Sequence, residues 1–433
     1  MCRAYTTQTD APCVRKGYGI PVLYNNYDVI VIGAGAAGLM AAGTAAAQGK
    51  RTLLLERNDR PAKKVLITGK GRCNVTNNCT QDHFITQVKT NGRFLYSAIA
   101  AFSPQDTMAF FEHLGLALKT ERGNRVFPVS DQAADVASAL VRYVKAQNAQ
   151  LETARVKQLL LENSAVKGVT TYQGNTYTAS AVIIATGGLS YPGTGSTGDG
   201  YRFAAEAGHT VLPTSPALIP IVTHEDWCKS AMGLSLKNVT LSVEDIKRGK
   251  TVFSELGEML FTHFGISGPL VLSASSVMDS THLTDYRMSI DLKPALSSEQ
   301  LDRRIQRDFS LNLNKDFLNS LGALLPKKLI PVIVNLCDIP PEEKINQITK
   351  QQRARLVQTL KALTVTPRAF RPIEEAIVTS GGIKVSEIDP KTMRSKLCDG
   401  LFFAGEVIDV DAYTGGYNLQ IAFSTGYLAG LYA

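Results

Sequence analysis

Gly33, Gly35 and Gly38 stand in the spacing G-x-G-x-x-G directly behind the β-branched run YDVIVIG that begins at Tyr27. Glycines so placed let a chain turn tightly out of a strand, bring bare backbone up to a pyrophosphate and pack the following helix closely. Ala36 and Ala37 open that helix, whose free N–H groups and positive dipole end suit phosphate. Glu56 closes the next strand, RTLLLE, where a carboxylate accepts hydrogen bonds from ribose hydroxyls; Arg57 follows it. Strand, glycines, helix, strand and acid in this register predict a dinucleotide site.

A second glycine stretch, LITGKGRCNVTN at 66–77, contains a Gly-Lys pair but is not a phosphate loop. That motif needs glycine where Lys64 stands and Ser or Thr where Gly71 stands.

The elements that must position these groups lie at both ends of the chain. LFFAGEVIDVDAYTGGYNLQIAFSTGYLAG, residues 401–430, reads as a strand, a turn, a double-glycine loop and a helix. It resembles the arrangement that Rossmann-type flavoproteins use to close on the flavin half of FAD, which would put Gly405 and Glu406 near the ribityl or pyrophosphate-side hydroxyls. The helix opening at Gly416, Tyr417, Asn418 and Leu419 aims N–H groups at the flavin ring. Glu406 stands where many related flavoproteins have Asp, and Asp409 and Asp411 are close enough in sequence to share its role. AVIIATGG, residues 181–188, is a buried strand whose end, Ala185, Thr186 and Gly187, carries the chain out of the cofactor domain. A small antiparallel meander precedes it, opening near Val156, whose backbone is expected at adenine. The cofactor domain is therefore discontinuous.

SYPGTGSTGDGYRFAAEAGH carries a further G-x-G-x-x-G at Gly193, Gly195 and Gly198, but it follows a proline rather than a strand. It reads as a glycine loop over the flavin, feeding a helix from about Asp199 to Gly208. Without a second nucleotide domain, a nicotinamide must visit the flavin directly. Residues 210–293 alternate in short strands, and from Ser297 to Leu363 the period turns helical, with Ile345, Ile348, Val357, Leu360 and Leu363 largely along one stripe. Pro331 is expected to kink or interrupt a helix there. The predicted class is α/β: a discontinuous Rossmann-type FAD-binding domain (27–189 and 366–433), an inserted β-rich substrate domain (190–295) and a helical insert (296–365) capping the active site. Residues 1–26 read as a loose extension.

Composition is ordinary for a globular protein: 433 residues, 44% apolar and 19% charged. The net charge of +8 is dispersed along the chain, so no nucleic-acid partner is expected. Seven cysteines without a C-x-x-C pair suggest neither disulfides nor a metal site. No membrane span or signal peptide is read, which predicts a cytoplasmic protein; the sequence says nothing of oligomeric state.

With these parts assembled, the chain resembles the BaiN/RdsA-like flavoproteins, a group that includes aminoacetone oxidase-like sequences. The resemblance rests on LITGKGRCNVTN, NRVFPVSDQAADV (124–136), EMLFTHFGISGP (258–269) and residues 379–420. It implies FAD as cofactor and a loop at 66–77 that passes the pyrophosphate and reaches the flavin ring. Gly69 and Gly71 would give close backbone approach, Arg72 is the cationic partner, Lys64 or Lys70 adds charge near the phosphates, and Thr68 and Asn74 bond the ring's polar edge. Cys73 reads as a buried thiol packed by the flavin. Candidates for chemistry on the substrate are Arg72, His263 and Tyr417, with Tyr191, Tyr413 and Arg125 beside them. The function implied is hydride transfer from NAD(P)H, a transient co-substrate, through flavin to the electron-poor C=C of a small molecule such as a steroid or bile-acid enone. The alternatives are an oxidase of small amines, an RNA-directed flavoprotein and a FAD-binding protein without turnover.

Overall fold

The computed structural model describes residues 25–433, so the extension expected at 1–26 lies outside the described residues except for Asn25 and Asn26, which already belong to the first strand. That strand, Asn25–Ile32, pairs in parallel with Thr52–Glu56 on one side and Thr176–Ile184 on the other. Gln150–Thr153 extends the sheet beyond Thr52–Glu56, and Leu401–Phe403 extends it beyond Thr176–Ile184. The N- and C-terminal segments thus build one set of parallel strands, whose central runs, 29–32, Thr52–Glu56 and 181–184, are buried.

Thr176–Ile184 serves two partners. Its first half alternates between buried and more exposed residues and pairs antiparallel with Ala165–Thr171, which pairs in turn with Val156–Glu162; its last three residues are fully buried and pair with Leu401–Phe403. The meander and the crossover strand read separately from the sequence are one continuous strand.

The helices Ala36–Ala47 and Tyr417–Tyr432 pack backbone to backbone. A β-carbon on Gly426 would lie 2.4 Å from the Ala37 carbonyl oxygen, and one on Gly430 would lie 2.4 Å from that of Ala41. Small residues at both helices therefore hold the C-terminal helix against the dinucleotide-motif helix, and its first turn faces the same space.

A seven-stranded antiparallel sheet forms a second body, running from Leu363–Val365 through Tyr286–Asp291, Ser235–Asp245, Lys250–Phe261, Gly265–Ser267 and Ile221–Thr223 to Pro367–Phe370. An antiparallel ribbon of Val211–Ala217 and Val378–Ile383 joins the two bodies. The boundaries differ from the sequence reading. The helix Asp199–Glu206 packs into the first core through Tyr201, Phe203 and Ala204. The strand Pro367–Phe370 belongs to the second sheet.

The helical segment is not a separate cap. Leu301, Ile305, Ile333, Leu356 and Leu360 share one core with Leu241, Val243, Met288 and Ile290 of the sheet. Its apolar stripe is satisfied by the sheet face. The helix Lys350–Lys361 starts only at a Thr349–Gln352 capping box, so Ile345 and Ile348 precede it and Leu363 lies in a strand. Pro331 occupies the first turn of Ile330–Cys337, where a missing N–H costs nothing, and does not kink the helix.

Candidate functional site

A cavity of about 990 Å³ begins at the C-terminal edge of the parallel sheet and continues between the two bodies. Its first wall is the glycine turn. Gly33 is at φ +99°, where a β-carbon would strike the Ala185 carbonyl oxygen at 2.7 Å, and a β-carbon on Gly38 would lie 1.8 Å from the Gly33 oxygen. A β-carbon on Gly35, in contrast, meets nothing within 4 Å. Gly38 is therefore a packing glycine outside the lining, whereas Gly35, Ala36 and Ala37 line the void, with open space beside Gly35.

Glu56 is buried at the end of its strand. One carboxylate oxygen accepts from the Ala34 amide at 2.8 Å, and the other accepts from the backbone and side-chain amides of Asn58 at 2.9 and 2.8 Å. The acid thus pins the glycine turn while lining the cavity. Arg57 and Arg155 both pair with Asp199, and Val156 follows on the same wall.

Midway along the cavity, the Lys64 ammonium donates to Glu406 and to the Ser190 hydroxyl, each at 2.6 Å. Glu406 also accepts from Ser190 Oγ and the Thr379 amide at 2.9 Å. Asp409 and Asp411 do not line the cavity; Asn91 donates to the first and Ser380 to the second.

At the far end, the helix Tyr417–Tyr432 starts behind Gly416 at φ +99°, with no side-chain cap on its first N–H groups. Asn418 is turned inward, bonding both backbone groups of Ala412, so its side chain fixes the loop. Tyr417 is buried edge-on against Phe84, and burial raises its phenol pKa. Tyr191 and Tyr413 share the lining.

Of the 66–77 loop, Ile67, Thr68, Gly69, Lys70, Arg72, Asn74 and Asn77 line the cavity; Gly71 and Cys73 do not. Thr68 Oγ1 donates to the Val65 carbonyl. Cys73 is fully buried and its thiol pKa is pushed up to about 12 by desolvation, so it is an inert packing group. Arg72 is held by Glu121 and Asp131 and stacks 4.2 Å above the Phe127 ring. His263 is exposed on the turn between Lys250–Phe261 and Gly265–Ser267, outside the cavity.

The remaining expected groups, Ala185, Thr186, Gly187, Gly405 and Leu419, are on the wall. Sequence reasoning missed Asn58, Arg155, Asn77, Gly123 and Phe127, and the second-body residues Glu258, Leu260, Pro269 and Leu272. Asn77, Phe127, Glu258, Leu260 and Pro269 lie within the motifs quoted above, but no spacing within those motifs points them at a cavity; only the docking of the two cores brings the second-body residues, Leu272 among them, to this wall. No residue between 296 and 365 reaches the cavity.

Thr186 Oγ1, Asn74 Oδ1 and Asn77 Oδ1 are buried on this wall without hydrogen-bond partners. Such groups are costly unless a ligand satisfies them, and together with two uncapped helix starts they fit a polar dinucleotide cofactor. A fold of this kind around such a wall is that of a Rossmann-type FAD-dependent oxidoreductase. The chain belongs to the HI0933-like protein Rossmann domain family, which it matches over residues 27–432.

Among its relatives, the ribosomal RNA dihydrouridine synthase of Escherichia coli (strain K12) is 33% identical over 405 residues, 93% of this chain and 96% of that protein. The 3-dehydro-bile acid delta(4,6)-reductase of Clostridium scindens is 32% identical over 409 residues, 92% of this chain and 97% of that protein. The structure of 3-ketosteroid delta1-dehydrogenase from Sterolibacterium denitrificans superposes with a TM-score of 0.51 at 13% identity, covering 94% of this chain and 99% of that one; the likeness is one of fold. No helix among the described residues is long and apolar enough to cross a membrane.

Proposed function

We propose that this protein is a FAD-dependent reductase that saturates a carbon–carbon double bond conjugated to a carbonyl, with NAD(P)H as the transient electron donor. The observation that carries the reading is the continuity of the cavity: one wall runs from Glu56 past Glu406 to Tyr417, and onward to Leu260, Pro269 and Leu272 of the second body. The cofactor thereby gains a polar cleft, and the substrate gains an apolar chamber beyond it.

Bound FAD would supply hydride transfer, from the nicotinamide to the electron-poor carbon. Gly35, Ala36 and Ala37 would hold its pyrophosphate, Glu56 its adenosine ribose, the backbone at Val156 its adenine, and Gly416 to Leu419 its flavin end. Lys64 neutralises Glu406 and keeps that stretch of wall from repelling phosphate. Tyr417 lines the cavity at this end, and its phenol, protonated like any tyrosine at neutral pH, would be the proton donor toward the substrate carbonyl. Leu260, Pro269 and Leu272 present apolar surface to the substrate.

The relatives support the bond change rather than one substrate. A bile-acid delta(4,6)-reductase and a dihydrouridine synthase each name the saturation of a C=C conjugated to a carbonyl, in a steroid and in a uracil ring. A steroid-type enone is the leading substrate class. A uridine of RNA is the second reading, favoured by those synthase relatives, against the expectation drawn from dispersed charge.

The test is an anaerobic titration of the FAD-loaded protein with NADH and NADPH, followed at the oxidised-flavin band near about 450 nm. Bleaching by either, and recovery on adding a 3-oxo-Δ4 steroid or a uridine-containing RNA, is the expected result. A flavin that stays oxidised with both nicotinamides but bleaches with aminoacetone would replace this reading with the amine oxidase.

A further inference from the structure

The cations that line the cavity are almost all neutralised. Arg57 and Arg155 pair with Asp199, Lys63 with Asp59, Lys64 with Glu406, and Arg72 with Glu121 and Asp131. Among the described residues, Lys70 and Arg125 are the cavity-lining cations with no carboxylate within 4.0 Å.

These two share one corner. Residue 69, next to Lys70, packs on Phe127, where a β-carbon on Gly69 would lie 3.4 Å from the ring; the Arg125 guanidinium lies 5.9 Å from the centre of the same ring. Arg125 is fixed by donating Nε–H to the Arg122 carbonyl at 3.0 Å, which leaves its outer nitrogens uncommitted. Lys70 stands at φ +59°, a left-handed conformation that a lysine adopts at a cost, between Gly69 and Gly71, which are also left-handed. Neighbouring Lys119 is held by Asp131, while exposed Arg122 reaches only the neutral Asn238 side chain. The corner is therefore left with a positive field, and the unpaired carboxylate Glu258 lines the cavity from the second body.

We infer that Lys70 and Arg125 form an oxyanion-binding subsite at the cavity wall, so that the substrate is a conjugated carbonyl compound carrying a phosphate or carboxylate rather than a small amine. A guanidinium fork with free nitrogens, together with an unpaired ammonium on the same lining, suits either oxyanion. The inference deepens the proposed function and rests on it in one respect, that the substrate enters this cavity. The oxyanion has two possible sources, the phosphates flanking a uridine and the side-chain acid of a steroid.

The test is equilibrium binding to the oxidised, FAD-loaded protein, wild type against Lys70→Ala/Arg125→Ala, with FAD content and thermal melting as checks on folding. The probes are a single-stranded uridine tetranucleotide, a 3-oxo-Δ4 steroid carboxylic acid and the methyl ester of that acid. One of the two acidic probes should bind the double variant at least tenfold more weakly than wild type, and which one does so identifies the source. For the tetranucleotide, the slope of log affinity against log salt should flatten by about 1.4, at about 0.7 per contact. The neutral ester should bind both proteins alike, and Lys70→Arg/Arg125→Lys should retain affinity for the acid. Acid affinities within twofold of wild type, equal weakening of acid and ester, or no binding of either acid by wild type would overturn the subsite. Because the flavin stays oxidised throughout, a failure of hydride transfer leaves this result standing and counts only against the reductase.

Discussion

The Lys64 ammonium lies 2.6 Å from the Glu406 carboxylate across 342 positions of sequence, and this pair ties the segment after the second strand to the turn that leads into the last helix. Both side chains are largely shielded, so removing one strands the charge of the other. Lys64→Met should weaken FAD binding by about 1.5–3 kcal/mol, roughly ten- to a hundredfold, the usual worth of a charged hydrogen bond. Adding Glu406→Gln to that variant should restore part of the affinity. Fluorescence titration of the apoprotein with FAD measures both; strictly additive losses would show that the pair does not act as a unit.

The glycines of the first motif separate by what surrounds them. Gly38→Ala drives a β-carbon into the Gly33 carbonyl and should yield insoluble or FAD-free protein. Gly35→Ala meets no protein atom, so the apoprotein should melt within about 1 °C of wild type, as for a neutral surface change, while its β-carbon projects into the cavity and lowers FAD affinity at least about tenfold. Unchanged FAD affinity in Gly35→Ala would place the cofactor elsewhere.

Tyr417 should matter to only one half of the catalytic cycle. In Tyr417→Phe, bleaching of the flavin by NAD(P)H should proceed at the wild-type rate, while reoxidation by the conjugated acceptor should slow by about 10²- to 10⁴-fold, the range of a lost general acid. Stopped-flow absorbance separates the two. Equal slowing of both would indicate a disturbed flavin site.

His209 provides a pH signature of stability. It is buried against Phe403, shares a 2.7 Å hydrogen bond with Ser395, and its pKa is lowered by burial, against the opposing pull of Glu387. The native state therefore holds it neutral while the unfolded chain protonates near pH 6.5. The stability it contributes is fully present above that pH and is lost as pH falls from 6.5 through the lower native value. Urea unfolding at pH 5 and pH 7.5 should show lower stability at pH 5, and His209→Gln should reduce the difference. An unchanged difference would remove His209 as its source.

The legible part of the site was the local part. Gly33, Gly35, Glu56, Gly405 and Gly416 sit where short-range rules put them, because a tight turn, a strand end and a helix start are each specified within a few residues. His263 shows the limit of motif membership. Its neighbours in the chain form a tight connection between two strands, and that geometry turns the imidazole to solvent.

The sequence by itself determined a discontinuous Rossmann-type domain and many of the residues that line the cavity at its sheet edge, since strand–glycine–helix patterns are written in contiguous residues. Only the tertiary structure decided that the helical segment 296–365 completes the core of the second sheet instead of covering the cavity, because an apolar stripe states that it will be buried but not against what. It alone also decided which charges remain unspent. Arg72 is quenched by Glu121 and Asp131, some 50 to 60 positions away, while Lys70, two residues earlier, is left free. Ion pairing depends on distance in space, and no spacing along the chain records it.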